Sequence, residues 1–74
     1  MNKDKIEELH RLESFRDYCD SMDNAVKSLI GNLIGHCDRS FMTDVREDLL
    51  ESKDRIITKI QQQKEIFENK IKEL

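Results

Sequence analysis

Two apolar stripes run along this chain, out of phase with each other. Wound at about 100° per residue, the first sets Phe15, Tyr18, Cys19, Met22, Ala25, Val26, Leu29 and Leu33 on one face. Continued without a break, the same winding gathers Met42, Val45, Leu49, Ile56, Ile60, Phe67, Ile71 and Leu74 on a second face, about 180° away. One continuous helix would bury one stripe and expose the other. The chain is therefore expected to break between them, where Gly31 and Gly35 lie. The pattern predicts an all-α antiparallel two-helix hairpin, coiled-coil-like, with a helix over about residues 3–34, a turn over about 35–40 and a helix over about 41–73. Folding about residues 37 and 38 would set residue 24 beside residue 51.

The ends of these helices carry recognisable signals. Lys3 or Asp4 opens the first helix, and the Asp4 carboxylate is suited to its free amides. Gly35 follows Ile34 where a left-handed C-terminal cap is expected. Asp38 or Ser40 is expected to cap the second helix, although Thr43 stands where a capping box needs Glu. Lys53 and Gln63 interrupt the second stripe. Either their stems lie across the seam with their heads in water, or they set register and partner choice. Ile6, Leu9, Leu12, Phe15 and Tyr18 recur every third residue, faster than the helical repeat, so their stripe winds round the surface. Ile6 and Leu9 are then either half-exposed or part of a docking face.

Composition narrows what such a hairpin can do. The chain has 74 residues, 39% of them charged and 5% aromatic, with neither Pro nor Trp. A hairpin of this size buries one stripe per helix. At about 25 cal/mol per Å² that gain only roughly matches the cost of ordering the chain, about 1.5 kcal/mol per residue. Association is expected to finish the core, as a homodimeric four-helix bundle or against the helices of another protein. The net charge is −3, with 13 basic and 16 acidic residues interleaved. No basic footprint for nucleic acid is present, and the most apolar stretch, broken by Lys27 and Gly31, is too short to insert into a membrane. The first residues lack the apolar core of a cleaved signal peptide. The expected location is the cytoplasm, or export by a route that needs no such signal.

Candidate chemistry is sparse. Cys19 in mid-helix and Cys37 at the turn are too far apart to pair within one hairpin. Cys37 is expected to be an exposed thiol near Arg39. His36, Cys37 and Asp38 offer at most three of the four ligands of a closed zinc site, and are expected to be solvated turn residues. No phosphate loop, nucleophile motif or calcium loop occurs. The reading is non-enzymatic, with no catalytic, cofactor or metal site and no small-molecule substrate.

Leu33-Ile34-Gly35 closes the first helix, Phe41 follows eight positions after Leu33, and Val45 comes one turn later. This arrangement resembles the turn of the WXG100 helical-hairpin proteins of type VII secretion. In that family a Trp-x-Gly or related hydrophobic-x-Gly motif ends helix one and an aromatic opens helix two. The resemblance implies Leu33, Gly35 and Phe41 as turn residues, and a role as a small partner of a larger helical secreted protein. Leucine stands in place of the tryptophan, and no Tyr-x-x-x-acid export signal is present.

The expected function is a protein–protein interaction module: an adaptor, chaperone or secretion partner. The alternative is a small regulator or inhibitor, of the kind phages and mobile elements encode, that masks a surface of an enzyme or transcription factor. The expected partner-binding strip is what the paired stripes leave over: Leu50 and Ile57 on one flank of helix two, and Ile66 near Ile6 and Leu9 at the open end.

Overall fold

The structure, a computed structural model, describes residues 3–74. It is an all-α hairpin of two long helices, α1 (Lys3–Gly35) and α2 (Thr43–Glu73), with one turn of 3-10 helix, Ser40–Met42, leading into α2. No proline interrupts either arm. Asp4 in the first turn of α1, Asp44 in the first turn of α2, and Lys70 and Lys72 in its last turn, all favour the helix dipole. The molecule is a rod, 60 × 15 × 10 Å in its Cα extents.

Two contacts across the hairpin fix its register. The rings of Phe15 and Phe67 lie 5.4 Å apart, and Lys64 Nζ is 2.7 Å from an Asp20 carboxylate oxygen. Counting along the helices from these contacts, residue 24 comes level with residues 58–60, not with residue 51. The difference is about 12 Å along the axis, at 1.5 Å per residue. Its cause is the connection. Arg39 is extended, with φ −94° and ψ 145°, so the linker carries the chain past the end of α1 before α2 starts. The helices are accordingly staggered. Leu74 comes level with Glu8 to His10, and the first turns of α1 project beyond the C-terminus of α2. Ile6, 40% exposed, lies on that projection.

The turn differs in detail from the sequence expectation. No described residue has positive φ, so Gly35 is the last residue of α1 without being a left-handed cap. The helix ends instead by tightening: the His36 amide donates to Leu33 O at 3.1 Å and the Cys37 amide to Ile34 O at 2.9 Å. The N-cap positions of the 3-10 turn and of α2 fall on Arg39 and Met42, neither of which caps with its side chain. Asp38 and Ser40 therefore do not have the expected capping role. The entry is held by the Met42 amide on Arg39 O at 2.9 Å, and by the Thr43 hydroxyl donating to Ser40 O at 2.8 Å. The tightened turn also folds Cys37 inward. Its thiol lies 3.5 Å from Leu33 O and the residue is buried, not exposed.

The buried seam of α1 is Leu12, Cys19 and Val26, one residue every two turns, closed at the tip by Cys37. Leu9, Arg16, Asp23 and Ile30 are half-buried beside them. Leu49, Lys53, Ile57, Ile60, Lys64, Phe67 and Ile71 are half-buried on α2. Lys53 and Lys64 lie along the contact, and Asp20 and Glu68 hold the Lys64 ammonium. Among the described residues no side chain is fully enclosed. Most of the stripe expected to be buried on α1 is therefore not at its centre: Leu33, Phe15 and Met22 are about half exposed, and Tyr18 and Leu29 largely so.

Candidate interaction surface

The reason lies in the width of the apolar arc on α1. Centred on Cys19, the arc runs from Leu9 on one side through Val26, Phe15, Met22 and Leu29 to Tyr18 on the other. It spans about 180° at 100° per residue, whereas a helix packed on one neighbour typically shows a stripe of about 100°. One partner helix can cover only part of that arc. α2 lies over the line of Leu12, Cys19 and Val26, and this choice also brings Lys64 against Asp20. What remains is a second line, Phe15, Met22 and Leu29, with Tyr18 and Ala25 beyond it.

The hairpin thus has two unlike flanks. On one, Lys64 bridges Asp20 at 2.7 Å and Glu68 at 3.8 Å, and Lys27 pairs with Asp23 at 2.8 Å. The hydrogen bond to Asp20 raises the Lys64 pKa above its ordinary value, with the Asp20 and Glu68 charges adding to it and partial desolvation opposing. One Asp23 carboxylate oxygen is buried without a hydrogen-bond partner; the other holds Lys27.

On the other flank a groove of about 380 Å³ runs between the helices. Phe15, Tyr18, Cys19 and Met22 form one wall, and Ile56, Ile60, Phe67, Lys59 and Gln63 the other. The tilted pair of Phe15 and Phe67, interplanar angle 46°, closes one end of its floor. Among the described residues no acid lines this groove, and Lys59 is its one charged wall residue. The same apolar surface continues past it along α1 through Leu29 and Leu33.

The structure does not assemble the strip expected from the sequence. Ile66, 47% exposed, comes level with residues 16–18 and so lies well away from Ile6. Leu9 and Ile57 are half-buried along the helix contact. Leu50 is on the flank of Lys64 and Glu68, opposite the groove. The residues that do share a surface, Phe15, Tyr18, Met22, Leu29 and Ile56, all belong to the two original stripes. The signal for them was present in the width of the α1 arc. Of the turn residues, Gly35 ends α1, Leu33 O accepts from the His36 amide, and Phe41 is 80% exposed on the 3-10 turn.

Other candidate sites hold less. The tip has a polar hollow lined by Asp38, Arg39, Ser40 and Arg46. Among the described residues no group of three His, Cys, Asp or Glu could hold a metal ion, and Cys19 and Cys37 are both free. Among the described residues no helix is long and apolar enough to cross a membrane. No protein family, curated protein or solved structure gives a significant match to the chain.

Proposed function

We propose that the chain is a non-enzymatic interaction module that works by packing helices of a protein partner onto the groove flank, in an adaptor, chaperone or secretion-partner role in the cytoplasm. One observation carries the reading. A continuous apolar surface lies open on one side of a rod whose other side is ion-paired, with Tyr18 70% and Leu29 65% exposed. A contiguous exposed patch of this kind marks a protein contact more often than a solvated face. The groove also lacks the convergent polar groups that catalysis needs.

A photo-cross-linking residue placed at position 18, in the native host, tests this against the same residue at position 20 on the ion-paired flank. Adducts that add the mass of a protein chain are expected at 18 and not at 20. Equal yields at both positions, or none at 18, would remove the reading.

A further inference from the structure

We infer that the occupant of the groove flank is a second copy of this chain, laid face to face so that two hairpins make a four-helix bundle. This rests on the interaction reading above and specifies its partner.

The exposed area is large for the mass of the chain. The hairpin exposes 5833 Å². A compact folded chain of 8.8 kDa would expose about 4,800 Å², from the scaling of surface with mass. The excess is about 1,000 Å², and a standard stable interface takes about 800 Å² from each partner. A face 60 Å long and 15 Å wide supplies roughly that area. Covering one flank with an equal partner brings the chain's exposure to what its mass predicts.

The open surface is also wider than one helix. A single helix laid in the groove would cover its inner walls, Phe15, Met22 and Ile56. It would leave Ala25, beyond Tyr18 on α1, and Ile66, on the far side of α2, in water. Two helices side by side cover all of these, and a second hairpin brings two helices of matching length and stagger. Charge permits the contact, because the groove presents no acid and only Lys59, whose flexible stem lets the ammonium reach the rim. A two-fold pair also needs nothing beyond the chain itself. Small helical units commonly complete their cores in this way.

The experiment is sedimentation equilibrium of the purified chain at micromolar concentration, with helix content followed by circular dichroism. The wild type is expected at twice the 8.8 kDa chain mass. Tyr18→Lys combined with Leu29→Lys changes two side chains the hairpin itself leaves open. Each is removed twice in a two-fold interface, so association should weaken by more than about 100-fold with helix content retained at low concentration. Leu50→Lys, on the other flank, should leave the dimer intact. A monomeric wild type overturns the inference, as does a dimer that dissociates with Leu50→Lys but not with the double variant. If the wild type is monomeric while the position-18 cross-link still captures a different protein, the second-copy inference falls and the interaction reading stands.

Discussion

The two flanks of the hairpin are built from the same two helices and lead to opposite expectations. One is closed by charge: Asp20 holds Lys64, and Lys27 holds Asp23. The other is apolar and open, with Phe15, Tyr18 and Met22 facing Ile56 across a groove. A pair of helices has one line of contact, so an apolar arc twice as wide as that line leaves about half of itself exposed. On the interaction reading proposed above, the polar flank marks where the hairpin ends as a packing unit, and the apolar flank marks where a partner completes it. Burial follows this division more closely than hydrophobicity does. Leu12, 4% exposed, and Leu29, 65% exposed, are the same residue type on the same helix.

That contrast gives the largest expected effect. Leu12→Ala deletes a side chain in the closed seam and should cost about 2–5 kcal/mol, enough to abolish the cooperative melt of so small a domain. Leu29→Ala, measured in solution dilute enough to hold the monomer, should change stability by no more than about 0.5 kcal/mol. Thermal melts of the two variants at matched concentration decide it. Equal losses in dilute solution would mean that the seam runs along the other line of α1.

The hairpin itself was legible in the sequence because helical periodicity and a change of phase between two stripes are properties of the chain alone. Which part of the first stripe faces α2 was not. Winding a single helix shows the arc from Leu9 to Tyr18, but the choice within it depends on α2, and Asp20 against Lys64 is a contact between positions 44 residues apart. The register escaped for a related reason. The extended backbone at Arg39 sets the offset of the two arms, and nothing in the residues of positions 36–39 demands it over a tighter turn. The same connection buries Cys37, which reads as an exposed thiol when the turn is taken as a simple loop. Phe15, Tyr18, Met22, Leu29 and Ile56 were thus named from the sequence, but as core, and Lys59 was not named at all.

A smaller change separates helix formation from packing on either flank. Gly31 lies inside α1, and a Cβ built there meets nothing within 4 Å. Gly31→Ala should therefore stabilise the hairpin by about 1 kcal/mol through backbone entropy alone, with association unchanged. A rise in melting temperature without a change in sedimentation is the expected pair of results. If Gly31→Ala instead weakens self-association, the helix surface around it belongs to the interface and the division between the flanks is misplaced.

The smallest expected effect is on the closed flank, and its pH dependence gives it away. The hydrogen bond to Asp20 raises the folded-state pKa of Lys64 above the ordinary lysine value of 10.5. A group whose pKa is raised on folding binds its proton more tightly in the folded state. Its contribution is complete below pH 10.5, and it is lost as pH climbs through the raised value. Stability of the wild type should therefore fall in alkali above pH 10.5 more steeply than that of Asp20→Asn, in which the charged acceptor is gone. Because the pair is solvent-exposed, the difference should be slight at neutral pH and should shrink with added salt. Denaturant melts at neutral pH and in alkali, each at low and high salt, measure it. An Asp20→Asn variant that matches the wild type throughout would show that ion pairing does not close this flank. The open flank would then owe its character to the apolar arc of α1 alone.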